Sequence, residues 1–127
     1  MKQIISTNDA PAAVGAYSQA TSTGDLIFTA GQLPLTNNGE LLDEATVSEQ
    51  TRKCLENVQS ILTSEGASMT DVLKTTVFLD DIDDFEEFNE TYSTFFDDKA
   101  PARSAVEVGQ VPKGAAIEIE AIAVVED

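Results

Sequence analysis

Pro101-Ala102-Arg103-Ser104-Ala105-Val106-Glu107-Val108, followed by Ile117-Glu118-Ile119-Glu120-Ala121-Ile122-Ala123-Val124-Val125, reads as two consecutive strands. In the second, Ile117, Ile119, Ala121, Ala123 and Val125 share one face, while Glu118, Glu120, Ile122 and Val124 share the other. The second face therefore turns from charged to apolar along its length. Arg103 opens the first strand and is one of two arginines in a chain with 7 Lys and Arg against 23 Asp and Glu. Its guanidinium is a rigid fork of donors suited to a carboxylate. If Glu118 points the same way, cation and base share one site. The ordinary alternative is a structural ion pair of Arg103 with Glu107, its same-face neighbour, or with Glu118 or Glu120.

Working outward, Val72 to Leu79 is rich in β-branched residues and predicts a strand with Leu73, Thr75, Val77 and Leu79 on one face. A helix follows, capped by Asp83-x-x-Glu86, with Phe85, Phe88, Tyr92, Phe95 and Phe96 as its apolar stripe. Asn89 falls on that side and needs a hydrogen-bond partner, structural or ligand. Upstream, Thr46-Val47-Ser48-Glu49 has the form of a capping box. Val47, Thr51, Cys54, Leu55, Val58, Ile61 and Leu62 then recur at helical spacing up to Gly66 as C-cap. Cys54 on that stripe reads as a small core residue rather than a reactive thiol. Ile4-Ile5 is a short strand; Tyr17 to Thr21 and Leu26 to Gln32 form a hairpin about Gly24-Asp25; Asn37-Asn38-Gly39 marks a further turn.

These elements predict a single α+β domain over 1–127, with a mixed sheet and both helices on one face. Two helices cover one side only. Ile122, Val124 and Phe28 or Ile27 would leave an apolar patch too large for a typical monomer, so the chain is expected to assemble as a homo-oligomer through its sheets.

The formal charge of −16 disfavours nucleic acid and anionic membranes as partners. No apolar run approaches the roughly 18 residues of a membrane span, and the first residues lack a signal-peptide core, so a soluble cytoplasmic protein is expected. One cysteine excludes an intrachain disulfide, and the lack of histidine removes the commonest metal ligand and proton shuttle. No dedicated metal site is expected. Such acidity suits a high-salt cytosol, where the Debye length falls to about 3 Å at 1 M and self-repulsion is screened.

The segments Ala10-Pro11-Ala12-Ala13-Val14-Gly15-Ala16-Tyr17-Ser18-Gln19, Thr29-Ala30-Gly31-Gln32-Leu33-Pro34, Lys74-Thr75-Thr76-Val77-Phe78-Leu79, Pro101 to Ser104 and Ile117 to Ala123 together resemble the RidA (YjgF/YER057c/UK114) family. The resemblance runs, in order, over nearly the whole chain. It implies a chorismate-mutase-like α+β fold, a homotrimer with three clefts between subunits, and cofactor-free hydrolysis of reactive enamines and imines, such as the 2-aminoacrylate released by pyridoxal-phosphate dehydratases. The family's carboxylate-binding arginine corresponds to Arg103 and its water-positioning glutamate to Glu118. Its cleft tyrosine, strand glycine and helix asparagine correspond to Tyr17, Gly31 and Asn89. The position two after the arginine, often cysteine, is Ala105, and the one before Gly31, often serine, is Ala30; there only backbone groups remain to bind substrate. A rival implied by those losses is a non-catalytic, ligand-binding or chaperone-like trimer using the same cleft. Nucleic-acid cleavage and translation inhibition, attached to relatives, fit poorly with the charge.

Overall fold

The order of elements is β1 (Lys2–Ile5), β2 (Ala20–Thr23), β3 (Leu26–Thr29), α1 (Val47–Thr63), β4 (Val72–Leu79), α2 (Phe85–Ser93), β5 (Ala102–Glu107) and β6 (Ile117–Val124). The structure is a computed structural model that describes residues 1–125. One mixed sheet has the order β1-β2-β3-β6-β4-β5. Only β4 and β5 are parallel. A parallel pair needs a crossover, and α2 supplies it. The architecture is the α+β mixed sheet with both helices on one face that the pattern predicted.

The first helix forms where its caps say it should. Thr46 and Glu49 close a capping box, and Gly66 at φ 79 ends the last turn. There Ala67 N–H donates to the Leu62 carbonyl and Gly66 N–H to that of Thr63, both at 3.0 Å, which is a Schellman arrangement. Thr51, Cys54, Leu55, Val58, Ile61 and Leu62 are buried against Val77, Leu79, Ile117, Ile119 and Ala121 of the sheet. Each large side chain so buried contributes about 1.5–3 kcal/mol relative to exposure. Two polar residues, Gln50 and Asn57, are buried with them and tie loops to the helix. Asn57 Nδ2 donates to the carbonyls of Leu33 and Leu35 at 3.1 Å, and Gln50 Oε1 accepts from Ala116 N–H at 2.9 Å.

Several local expectations change. β2 begins at Ala20 rather than Tyr17, because Gln19 anchors the preceding loop. Its side chain donates to the carbonyls of Thr7 and Pro11 at 3.0 and 2.8 Å and accepts from Thr7 N–H at 2.7 Å. β3 stops at Thr29, after which Gln32 exchanges backbone hydrogen bonds with Ile119 at 2.7 and 3.1 Å. The chain therefore crosses onto β6 beside Glu118. A bulge between Val72 and Lys74 turns Leu73 out, 49% exposed, and Val72 takes the core position instead. The aspartate that caps is Asp81, whose side chain accepts from Asp83 N–H at 2.9 Å and starts a 3-10 turn ahead of α2; Asp83 does not cap the helix. Phe95 and Phe96 lie past the end of α2, half-buried against the core.

The other face of the sheet carries no helix. Glu118, Glu120, Ile122 and Val124 of β6 share it with Phe28, Phe78 and Val106. Phe28 is 40% and Val106 45% exposed. Ile27 is not part of this patch; it is fully buried on the helix side.

Candidate functional site

Arg103 pairs in register with Thr75 of β4, a core-facing residue, so its side chain lies under α2. There Nη1 donates to Asn89 Oδ1 at 2.7 Å, which answers what the Asn89 amide binds. The guanidinium carbon sits 5.3, 5.4 and 4.8 Å from the ring centroids of Phe85, Phe88 and Tyr92. Each such contact is worth roughly 0.5–1 kcal/mol at a partly exposed site, and together they fix the plane of the fork. Tyr92 is held in turn by a 2.7 Å hydrogen bond between its hydroxyl and that of Thr75, and burial pushes its phenol pKa up, keeping it neutral.

The ion-pair alternative is not what forms. Glu107 accepts from Ile82 N–H at 2.9 Å, and Glu118 and Glu120 lie on the opposite face of the sheet. Among the described residues, the hydrogen-bond acceptor for Arg103 is an amide rather than a carboxylate. The arginine lines a cavity of about 350 Å³ with Asn89, Ser93, Phe96, Asp97 and Pro101. Ala105, the next residue of β5 on that face, is half-buried against the core.

Glu118 pairs with Phe78, an odd number of residues along β4 from Thr75, so alternation sends it to the open face. Arg103 and Glu118 of one chain therefore do not share a site. Glu118 is packed against Gly31: a Cβ there would stand 2.7 Å from Oε2 and 2.8 Å from the carboxyl carbon. Glycine is what lets the carboxylate lie on the backbone. Burial, with a smaller contribution from the Glu120 charge, raises the Glu118 pKa above the usual 4.5. A carboxyl in this condition holds its proton more tightly than a solvated one and is a stronger base once ionised.

Glu118 lines a second cavity, of about 560 Å³, with Tyr17, Val14, Leu33, Pro112 and Lys113. Tyr17 is 54% exposed, on the loop that Gln19 anchors. The six residues singled out from sequence thus form two groups, Arg103 with Asn89 and Ala105, and Glu118 with Gly31 and Tyr17. Lys113 and Thr75 were not singled out. The Pro112-Lys113-Gly114 turn signal was there for the first; nothing marked the second. Cys54 is fully buried with its thiol against the Ile117 carbonyl at 3.7 Å, and burial raises its pKa well above 9.0, so it is a core residue and not a nucleophile.

Residues 7–125 match the family described as Endoribonuclease L-PSP. A RutC family protein of Pyrococcus horikoshii is 47% identical over 124 residues, 97% of this chain and 98% of the relative. The 2-iminobutanoate/2-iminopropanoate deaminase of Rattus norvegicus is 45% identical over 124 residues, covering 98% and 90%. Among solved structures, TdcF of Escherichia coli with bound serine superimposes with a TM-score of 0.90 at 44% identity, over 98% of this chain and 99% of that one.

Proposed function

Since the chain belongs to the Endoribonuclease L-PSP family, the RidA (YjgF) family of its sequence resemblance, we propose that it hydrolyses reactive 2-enamine and 2-imino acids, such as 2-aminoacrylate and 2-iminopropionate, to 2-oxo acids and ammonia. Its role would be to limit damage by these intermediates to pyridoxal-phosphate enzymes. At the coarser level, relatives at 45% identity are named reactive intermediate deaminase and 2-iminobutanoate/2-iminopropanoate deaminase. The single observation that carries the finer proposal is the Arg103 fork, oriented by three rings and by a hydrogen bond to the Asn89 amide rather than to a carboxylate, and facing a cavity.

Arg103 holds the substrate carboxylate and so positions the neighbouring C=N carbon. Glu118 orients a water and takes one of its protons as the oxygen bonds to that carbon, then passes that proton to the imine nitrogen, giving the carbinolamine. Glu118 next takes the carbinolamine hydroxyl proton as the C=O bond forms and the C–N bond breaks, and that proton leaves on the nitrogen as ammonia. Tyr17 and the backbone at Gly31 and Ala105 line the path. Because one chain puts Arg103 and Glu118 on opposite faces, we place each complete site between copies, Arg103 from one and Glu118 from its neighbour. The uncovered apolar sheet face and the free backbone edge of β5 support such an assembly, which the family resemblance makes a homotrimer. With a formal charge of −16, RNA cleavage is disfavoured despite the family's description.

An amino-acid oxidase generating 2-iminopropionate in situ provides the test. The protein accelerates imine decay, and Arg103→Ala lowers kcat/KM by roughly 100-fold, the scale of a lost charge-assisted bidentate contact. Equal decay with and without the protein would refute the enzyme. The serine held by TdcF keeps a second possibility in view, binding without turnover. Cleft binding of a 2-oxo acid with no acceleration would favour it.

A further inference from the structure

The cavity beside Glu118 contains a charged group for which the proposed hydrolysis has no use. Lys113 is the one basic side chain among its lining residues. Its backbone sits at φ 62, ψ 12, the one positive φ on a residue other than glycine among the described residues. That conformation is disfavoured for a side chain bearing Cβ, and glycine or asparagine would take it more easily. The turn itself is fixed by its neighbours, Pro112 before and Gly114 at φ 75 after, with Ala115 N–H donating to the Pro112 carbonyl at 3.3 Å. Lysine is therefore not what the turn needs. Strain kept at a cavity wall points to a use for the side chain there.

The rest of the wall narrows the ligand. Ala12, Val14, Leu33, Leu35 and Pro112 are apolar. The single carboxylate of a simple imino acid is already assigned to Arg103. In a chain of net charge −16, a second acidic group on the substrate would be repelled unless a fixed cation met it. We propose that Lys113 is a specificity residue that gives the site a preference for dicarboxylic 2-imino acids, the distal carboxylate meeting its ammonium and the methylenes lying on the apolar wall. A point charge on a flexible stem suits a terminal carboxylate at variable reach. This rests on the deaminase proposal and on the pairing of half-sites above.

The experiment compares 2-iminoglutarate with 2-iminobutyrate, each generated in situ, on the wild type, Lys113→Asn and Lys113→Arg. Asparagine tolerates the left-handed backbone, so Lys113→Asn is expected to melt at or above the wild-type temperature. It raises KM for 2-iminoglutarate about tenfold, leaves kcat within about twofold and leaves 2-iminobutyrate unchanged; Lys113→Arg restores the KM. An equal change for both substrates, or none, overturns the assignment. Calorimetry with the product analogues 2-oxoglutarate and 2-oxobutyrate is the equilibrium arm: the wild type prefers the dicarboxylate and Lys113→Asn does not. If neither imine decays faster with the wild type, the deaminase proposal falls, and calorimetry alone decides Lys113, absence of that preference overturning it.

Discussion

Glu118 is the side chain whose chemistry depends most on its surroundings. Half-buried against Gly31 and repelled by Glu120, it binds its proton more tightly in the folded chain than in the unfolded one. Its contribution to stability is therefore present at low pH and is lost as pH rises through the raised pKa, where ionised Glu118 opposes folding. As a base it must be ionised, so activity rises with pH through that same window. Glu120→Gln removes one of the two causes and is expected to move the acid limb of kcat/KM to lower pH, read from a pH–rate profile on 2-iminopropionate. An unmoved limb would mean that Glu118 does not set it. Both strands were legible in the sequence as alternation, while the roles assigned to Arg103 and Glu118 came with the family resemblance. Their faces were not, because parity depends on how β5 and β6 register on β4, and that register is made by contacts distant in sequence.

At the scale of elements, α2 and β4 form the mount for Arg103. Phe85, Phe88 and Tyr92 stack along one side of α2, with successive ring centroids 5.6 and 5.2 Å apart, and the Thr75 hydroxyl holds Tyr92 from below. Tyr92→Phe keeps the rings but leaves the buried Thr75 hydroxyl without its partner. We expect a loss of about 1–2 kcal/mol by denaturant titration, with KM raised less than in Arg103→Ala. Unchanged stability would place that hydroxyl pair outside the support. The aromatic period was readable at i, i+3 and i+7, and so was the polar slot of Asn89. The bulge at Leu73 and the move of the cap to Asp81 were not, since neither changes the hydrophobic count and both answer to the packing of β4 on β6 and of the turn ahead of α2.

At the scale of the whole molecule, two features remain, a charge of −16 and a sheet face with Phe28, Phe78, Val106, Ile122 and Val124 uncovered. If the acidity is an adaptation to salt, the melting temperature rises by about 5 °C or more between roughly 0.1 M and 3 M potassium chloride; a flat curve would remove that explanation. The alternation of β6 foretold the uncovered face, whereas the number of copies that cover it came only with the family resemblance. Assembly is central because one chain separates its arginine from its glutamate. Co-assembling Arg103→Ala with Glu118→Gln, each strongly impaired alone, tests it most directly. If every site takes Arg103 from one copy and Glu118 from its neighbour, random mixing restores about one quarter of the sites, and imine hydrolysis returns at about a quarter of the wild-type rate. Mixed assemblies no more active than either parent would contradict a site shared between copies.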